Sequence, residues 1–260
     1  MPKIQSYIPG SFCWAELAAK DAEAAKKFYC DVIGWTAVDM PMPQGVYTLF
    51  QVDGNDAAAV CSPPGASGQW AVYFTVESAD DAASKITAAG GKIVAGPFDA
   101  HDYGRMAVAQ DPQGAFFCVW QAMKSIGATH GGPVGNVGWV ELASPDAEGA
   151  AAFYTSVFGW KTKPETGVGE AQYTEWVNGA TSIGGLMPMK GDEWKGVPPH
   201  WTIYITVANC DERTARAVEL GSKICVPPTD IPNVGRFSVI FDPQGAAFCL
   251  IQMTAHHASA

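Results

Sequence analysis

The chain carries one sequence pattern twice, and this repeat constrains its fold more than any other feature. Residues 14–35 and 139–160 are identical at 13 of 22 aligned positions, and both begin with Trp-x-Glu-Leu-Ala and end with Gly-Trp. A second block at 104–121 recurs at 235–252. The offset grows from 125 to 131, so the second copy has about six extra residues between Trp160 and His200. A repeat of this length predicts duplicated domains rather than a solenoid of short units.

The repeat divides the 260-residue chain into two predicted domains. The first is expected at residues 1–123 and the second at 137–260, with a tail from about 254 that we expect to be flexible. Residues 124–136, which are rich in Gly, Ser and Thr, are predicted to form the linker. A chain of this length can bury a sizeable hydrophobic core.

Each copy has the same predicted order of elements. Residues 12–18 alternate, with Trp14 and Glu16 on one face, which predicts a strand. Asp21 then caps a helix whose apolar residues keep helical spacing to about Ile33, and Gly34 ends it. A second helix, capped by Ser78, is predicted at 79–89, and further strands at 47–52, 57–61, 70–76, 92–94, 105–110 and 115–121. The predicted fold class is α+β, with a tandem duplication of a domain made of two β-α-β-β-β modules.

Composition excludes several kinds of partner. The net charge is −10, from 16 Lys and Arg against 26 Asp and Glu, so we expect neither nucleic acid nor an anionic membrane surface as a partner. No segment has the apolar length of a membrane span or a signal peptide. The seven cysteines include no Cys-x-x-Cys pair, which argues against a disulfide framework or a structural zinc site. A cytoplasmic protein with reduced thiols is therefore expected.

Two motifs in each copy carry a resemblance to a known family. The first helix ends with Phe-Tyr followed by Gly-Trp, and the last two strands are joined by Asp-Pro-Gln-Gly, which is typical of a type I turn. With the module order, from about Phe12 to Met253, these motifs resemble the vicinal oxygen chelate superfamily. That superfamily includes glyoxalase I, the bleomycin-resistance proteins and the extradiol dioxygenases. The resemblance implies curved mixed sheets around a cavity, in which catalytic members hold a divalent metal.

The residues at the family's metal-ligand positions are unsuited to a metal. The resemblance places these positions on the first strand, the strand that opens the second module and the last strand, at Trp14, Ala71 and Cys118 and, in the second copy, at Trp139, Thr202 and Cys249. Trp offers only an N–H donor and Ala offers nothing. A lone thiol does not make a site for a hard divalent ion. A one-residue slip would bring His200 closer without its partners, so we expect no family-type metal and no cofactor.

Two carboxylates are the candidate catalytic groups. Glu16 and Glu141 lie two residues after the tryptophans, on the same strand face. A carboxylate in an aromatic pocket has a raised pKa and can act as a general base. The alternative is structural: because a buried carboxylate needs a partner, Glu16 would bond to a buried backbone group or pair with Arg105, and Glu141 would likewise pair with Arg236.

Other recurring side chains are candidates for ligand contact. Tyr73 and Tyr204 share a strand face with Ala71 and Thr202, so their hydroxyls would reach the cavity or, alternatively, their rings would fill the core. The two mid-strand cysteines are interpreted as buried structural thiols rather than nucleophiles, because no basic residue neighbours them in sequence. The full set of predicted ligand-binding residues is Trp14, Tyr73, Arg105, Cys118, Trp139, Thr202, Tyr204, Arg236 and Cys249.

Three functions remain open from the sequence. The first is a small-molecule-binding protein with aromatic-lined, metal-free cavities for an apolar or aromatic ligand, acting as a monomer or homodimer. The second is a glyoxalase- or dioxygenase-like enzyme (a lyase, isomerase or oxygenase) with a non-standard site, in which Glu16 and Glu141 act as bases. The third is a structural or partner-binding duplicate whose cavities have filled with side chains.

Overall fold

The computed structural model describes residues 3–43, 45–164 and 173–254. The first half contains β1 (Phe12–Ala18), α1 (Ala22–Ile33), β2 (Thr36–Met42), β3 (Gly45–Val52), β4 (Asn55–Cys61), β5 (Gln69–Thr75), α2 (Ala79–Ala88), β6 (Lys92–Ala100), β7 (Gly104–Gln110) and β8 (Phe116–Ala122). The second half contains β9 (Val137–Ser144), α3 (Ala147–Phe158), β10 (Lys161–Pro164), β11 (Thr174–Asn178), β12 (Thr181–Pro188), β13 (His200–Thr206), α4 (Cys210–Glu219), β14 (Lys223–Ile231), β15 (Gly235–Phe241) and β16 (Ala247–Met253). The predicted α+β duplication is confirmed.

Capping residues set both ends of α1, as the sequence predicts. The Asp21 carboxylate accepts a hydrogen bond from the backbone N–H of Ala24 at 3.0 Å. Gly34 then adopts a left-handed conformation with φ of 88°, which a residue with a side chain rarely tolerates. Asp146 and Gly159 do the same for α3. The first helix of each copy is therefore fixed by local chemistry that the repeat preserves.

The strands that the sequence patterns missed lie at the edges of the sheets. The element β2 was not predicted, and β6 extends to Ala100 rather than ending near Val94. Both are edge strands, largely exposed, and contain Pro41 and Pro97 respectively. An edge strand tolerates proline and buries no continuous face, so the alternation that predicts a half-buried strand is weak there.

Each half forms one mixed sheet of eight strands, in the order β2-β3-β4-β1-β5-β8-β7-β6 and its equivalent in the second half. The central strand β1 runs parallel to β4 and antiparallel to β5, and β5 runs parallel to β8. In this register Glu16 lies opposite both Ala59 and Ala71. The first strand of each half is therefore at the centre of its sheet, where its side chains are surrounded on both sides.

The two sheets share one hydrophobic core. On one side of each sheet, which we call the core face, apolar residues of both halves join a single cluster. Phe74, for example, lies 5.0 Å from Trp201 between ring centroids. The opposite side, which we call the outer face, carries smaller clusters around Tyr73 in the first half and Tyr204 in the second. The outer faces are thus separate from one another, whereas the core faces meet.

Two hydrogen-bonded triads, which we call the seam triads, cross between the halves. The Trp70 indole N–H donates to the Tyr29 hydroxyl at 3.0 Å, and this hydroxyl donates to the Asp242 carboxylate at 3.1 Å. The matching triad joins Trp201 to Tyr154 at 2.9 Å and Tyr154 to Asp111 at 3.1 Å. Each aspartate is the first residue of the predicted Asp-Pro-Gln-Gly turn, so the family motifs meet at the seam.

The Gly-Trp motif also crosses between the halves. The Trp35 indole donates to the carbonyl of Gly135 at 2.8 Å, and Trp160 donates to Gly10 at 2.9 Å. The linker is accordingly packed rather than free, and His130 within it is 1% exposed.

The extra residues of the second copy fall mainly between β12 and β13. The offset between copies is still 126 at the residues that pair with the central glutamates, and it reaches 131 at Trp201. A short 3-10 helix, Asp192–Trp194, occupies this stretch.

The expected flexible tail lies outside the described residues beyond Thr254. None of the described helices has the length and apolar content needed to cross a membrane.

Candidate functional site

The centre of the first outer face is a carboxylate held among aromatic side chains. The strand β1 presents Trp14 and Glu16 on this face, and β5 brings Tyr73 directly opposite Trp14. Both β1 side chains are partly buried and keep some exposed surface. The structure therefore brings Trp14, Glu16 and Tyr73 together on one face, in the predicted grouping.

Three donors bond to the Glu16 carboxylate. The Tyr47 hydroxyl, from β3, donates to Oε2 at 2.7 Å, and the Tyr73 hydroxyl donates to Oε1 at 3.3 Å. The Cys61 thiol, from β4, donates to Oε1 at 3.6 Å. The Trp14 indole in turn donates to the Tyr47 hydroxyl at 3.1 Å, which orients that ring. We call this set the Glu16 array.

The second outer face carries a related set, the Glu141 array. The Tyr204 hydroxyl donates to Glu141 Oε1 at 3.0 Å, and the Trp139 indole donates to the Tyr173 hydroxyl at 2.9 Å. Tyr173 also lies close enough to the carboxyl to lower its pKa. Thr202 lies opposite Glu141 across the β9–β13 pair.

Burial raises the pKa of both glutamates and so makes them weaker acids than usual. Desolvation raises the pKa of Glu16, and the hydrogen bonds from Tyr47, Cys61 and Tyr73 lower it without offsetting the burial. Burial likewise raises the pKa of Glu141 against the tyrosine hydroxyls. Each carboxyl therefore takes up a proton at a higher pH than an ordinary glutamate does. Such a group can accept a proton from a bound molecule or hydrogen-bond to it in either charge state.

The proposed pairing of the glutamates with arginines is wrong. Arg105 lies on the core-face side of β7, where its guanidinium bonds to Asp80 at 2.7 Å and to Asp99 at 2.8 Å. Arg236 pairs in the same way with Asp211 and Asp230. Strand alternation points these side chains away from the outer face, so they do not join the arrays. Tyrosine hydroxyls satisfy the glutamates instead.

Cys118 and Cys249 lie on the outer faces beside Tyr73 and Tyr204. Burial, followed by the charge of the nearby glutamate, raises the pKa of each thiol. A thiol with a raised pKa is a poor nucleophile near neutral pH. The two cysteines therefore line the floor of each array as small apolar groups.

The donor set does not fit the family's divalent metal. Strand register places Tyr73, not the expected Ala71, between Trp14 and Cys118, and neither residue supplies an imidazole or a second carboxylate. His200 lies opposite Ala143, and its Nδ1 contacts the Pro198 carbonyl at 2.8 Å. Among the described residues, no group of three His, Cys, Asp or Glu side chains is arranged to hold a metal ion.

Sequence reasoning missed Tyr47 and Tyr173, which complete the arrays. A signal for them was present, because a Tyr-Thr pair recurs at 47–48 and 173–174, at an offset of 126. This pair lies between the two strongly matching blocks, where identity is low. Only the sheet order, which lays β3 two strands from β1, connects it with Glu16.

Two clefts lie at the seam rather than at the arrays. One, of about 330 Å³, is lined by residues that include Gln113 and Phe153. The other, of about 300 Å³, is lined by residues that include Phe28, Pro243 and Gln244. They occupy equivalent positions beside α3 and α1, and neither touches a glutamate of the arrays.

Comparison with known proteins gives matches over both halves. A sequence model described as "Glyoxalase/Bleomycin resistance protein/Dioxygenase superfamily" matches residues 11–119 and 136–250. The chain is 38% identical over 262 residues to "Putative glyoxylase CFP32" of Mycobacterium tuberculosis, covering 97% of this chain and 98% of that protein. It is 34% identical over 264 residues to "Anthracycline biosynthesis protein DnrV" of Streptomyces peucetius, covering 95% and 94% of the two chains.

Solved structures share the fold at low sequence identity. A Mn(II)-bound glyoxalase from Novosphingobium aromaticivorans matches with a TM-score of 0.66 and 19% identity, over 94% of this chain and 82% of that one. A catechol 2,3-dioxygenase matches with a TM-score of 0.66 and 12% identity, over 95% and 89% of the two chains. At these identities the likeness concerns the fold.

Proposed function

The chain belongs to the glyoxalase/bleomycin resistance/dioxygenase superfamily, and we propose that it binds a small organic molecule at one or both glutamate arrays without a family-type metal. The observation that carries this proposal is a partly exposed glutamate with a raised pKa, held among tryptophan and tyrosine side chains on the outer face of each sheet. Aromatic walls with a few fixed polar groups are typical of small-molecule sites.

The chemistry of the arrays favours a ligand that is flat, largely apolar and equipped with an O–H or N–H donor. Aromatic side chains contact such a molecule through their faces and edges. The carboxylate accepts its hydrogen bond, and a charge-assisted bond of this kind is stronger than a neutral one. The net charge of −10 favours neutral or cationic ligands over anions. The relative that is named for anthracycline biosynthesis suggests a fused-ring aromatic molecule as a probe.

A titration with 1,4-dihydroxyanthraquinone tests this proposal. Protein dialysed against a chelator is titrated by calorimetry, with and without added Mn²⁺. We expect binding with a Kd on the order of 10 μM that added metal does not change. The double variant Glu16→Gln with Glu141→Gln is expected to bind at least tenfold more weakly. The matched control, Arg105→Gln with Arg236→Gln on the other side of the sheets, should bind as the wild type does. Binding that requires Mn²⁺, or that ignores the double glutamate variant, would refute the proposal.

A second candidate function is supported by the raised pKa values. A glutamate with a raised pKa is a stronger base than an ordinary glutamate and is suited to proton abstraction beside a carbonyl, the chemistry of a general base. The relative named as a glyoxylase makes glutathione with methylglyoxal the first substrate pair to assay. If either glutamate is the base, the glutamine variants lose activity by about 100-fold or more. Wild-type protein without turnover, or glutamine variants with full turnover, would exclude this function for that substrate pair.

A further inference from the structure

Both arrays hold a carboxylate that has no protein cation beside it. Glu16 and Glu141 each accept hydrogen bonds from two tyrosine hydroxyls, and Glu16 also accepts one from the Cys61 thiol. Among the described residues, no lysine, arginine or histidine contacts either carboxyl or lowers its pKa. A charge that is removed from water is stabilised when an opposite charge or a metal pairs with it. Each array therefore holds a partly buried acid whose counter-charge the described chain does not supply.

The cationic side chains of the two sheets pair with other acids. Arg105 and Arg236 lie on the opposite side of their sheets and bond to aspartates. Lys163, on β10, shares a face with Glu141 through the strand register, and its Nζ lies 3.3 Å from a carboxylate oxygen of Glu175. The described part of the chain thus leaves the counter-charge of the two arrays to a bound molecule.

Aromatic rings surround the carboxylate of the first array. The Trp14 indole bonds to the Tyr47 hydroxyl at 3.1 Å, and the Trp120 ring lies 6.3 Å from that of Tyr73. Trp14, Tyr47 and Trp120 are only partly buried, so a bound molecule can contact their rings. We call these four rings the aromatic box of the Glu16 array.

The Glu141 array has a box of the same size. The Trp139 indole bonds to the Tyr173 hydroxyl at 2.9 Å, and the Phe237 ring lies 6.3 Å from that of Tyr204. Phe237 lies on β15 whereas Trp120 lies on β8, so these two rings are not repeat equivalents. The two halves therefore reach four rings and one carboxylate with a different residue as the fourth ring.

This combination of groups favours a cation over a neutral or anionic molecule. The face of an aromatic ring carries negative potential and attracts a cation that lies within about 6 Å of the ring centre. A carboxylate attracts the same cation and accepts a charge-assisted hydrogen bond from its N–H groups. A neutral ligand gains the hydrogen bond but leaves the charge of the carboxylate uncompensated. An anion is repelled by the carboxylate itself.

We propose that both arrays bind a protonated amine that is carried on an apolar or aromatic body. The ammonium group donates to Glu16 in one half or to Glu141 in the other and packs against the rings of the box, while the apolar body covers the rest of the outer face. This inference rests on the proposed function and narrows its ligand class to organic cations.

The test compares two probes that differ in charge and share one ring system. 9-(Aminomethyl)anthracene is protonated at pH 7, whereas 9-(hydroxymethyl)anthracene is neutral, and each has a donor on a one-carbon arm. Protein dialysed against a chelator is titrated with each probe by calorimetry. We expect two equivalents of the amine per chain, bound about tenfold or more tightly than the alcohol.

Substitutions then separate the carboxylates from the rings. Glu16→Gln and Glu141→Gln should each reduce tight binding of the amine to one equivalent, and the double variant should lower its preference over the alcohol to less than about threefold. Trp120→Leu with Phe237→Leu keeps apolar volume without the rings, and should weaken the amine about threefold and the alcohol less. Arg105→Gln with Arg236→Gln is the matched control and should change neither affinity. Circular dichroism and the unfolding midpoint verify that each variant is folded.

The outcomes distinguish this inference from the proposed function. Equal affinity for the amine and the alcohol, or a preference for the amine that persists in the double glutamine variant, would overturn the inference and leave the proposed function standing. So would protein that binds 1,4-dihydroxyanthraquinone without metal but binds neither anthracene probe. Absence of metal-independent binding for all three probes would overturn both.

Discussion

The seam between the halves and the outer faces of the sheets have diverged to very different degrees. At the seam, the two triads match within 0.1 Å in both of their hydrogen bonds. On the outer faces, Glu16 accepts hydrogen bonds from two tyrosine hydroxyls and the Cys61 thiol, whereas the described donors to Glu141 are the Tyr204 and Tyr173 hydroxyls alone. The same duplication thus produced near-identical contacts in one region and unequal contacts in the other.

The fold constrains the seam side chains more tightly than those of the outer faces. Each seam triad takes residues from both halves, so a change in one copy leaves a buried group of the other copy without its partner. Each outer array is built within one half, and a change there affects only its own face. Conservation of the seam follows from folding, whereas divergence of the arrays is open to functional selection.

The largest expected effect comes from removing the seam aspartates. Asp111 accepts backbone N–H bonds from residues 113, 114 and 115 as well as the Tyr154 hydroxyl bond. Asp111→Ala would leave these buried donors unpaired, and we expect a loss of about 3 kcal/mol in the free energy of unfolding. Asp242→Ala should cost a similar amount. Urea denaturation measures both, and values that differ by more than about 2 kcal/mol would break the symmetry of the seam.

Removal of one hydroxyl from each triad should have a smaller effect. Tyr29→Phe and Tyr154→Phe keep the packed ring but leave a buried indole N–H and a carboxylate oxygen unpaired. We expect each to lower the free energy of unfolding by about 1–2 kcal/mol. The matched pair on the outer faces is Tyr47→Phe and Tyr173→Phe. Equal effects within the seam pair and unequal effects within the outer pair are the expected pattern, and the reverse pattern would contradict the comparison.

The pH dependence of stability reports on the arrays. Burial raises the pKa of Glu16 and Glu141 in the folded chain above their unfolded values. The folded state therefore binds these protons more tightly, and the stabilisation they provide is present in acid and is lost as the pH rises through the raised pKa. Glutamine does not titrate, so Glu16→Gln and Glu141→Gln should each flatten the decline in stability as the pH rises above the ordinary titration range of glutamate. Curves parallel to the wild type would show that burial does not perturb these carboxyls.

The smallest effect is expected from the exposed ion pairs. Arg105 and Arg236 make equivalent pairs with aspartates that are more than half exposed. Such pairs contribute little because water and salt screen them. Arg105→Ala and Arg236→Ala should shift the urea midpoint less than any substitution above, and added salt should reduce the shift further. A larger shift than that of the tyrosine variants would place these arginines within the structural network of the seam.

Local sequence signals predicted the elements well wherever burial and capping act together. The central strands and both helices of each copy have clear alternation or caps, and they lie close to their predicted positions. The edge strand β2 and the extension of β6 have neither, so their presence depends on pairing with β3 and β7. Among the site residues, Trp14, Glu16 and Tyr73 were found from the repeat and from strand parity, whereas Tyr47 and Tyr173 come from strands that only the sheet order brings near.

Residue identity and spacing alone establish the duplication, the superfamily resemblance, the placement of a tryptophan and a glutamate on one face of the first strand, and the unsuitability of the metal-ligand positions. These features depend on residue identity and on periods of two or 3.6 residues, which are local. The pairing of the arginines with surface aspartates and the hydrogen bonds from tyrosines to the glutamates follow only from the tertiary structure. Those outcomes depend on which strands become neighbours and in what register, and chain separations of 31 to 63 residues leave no local trace of that choice.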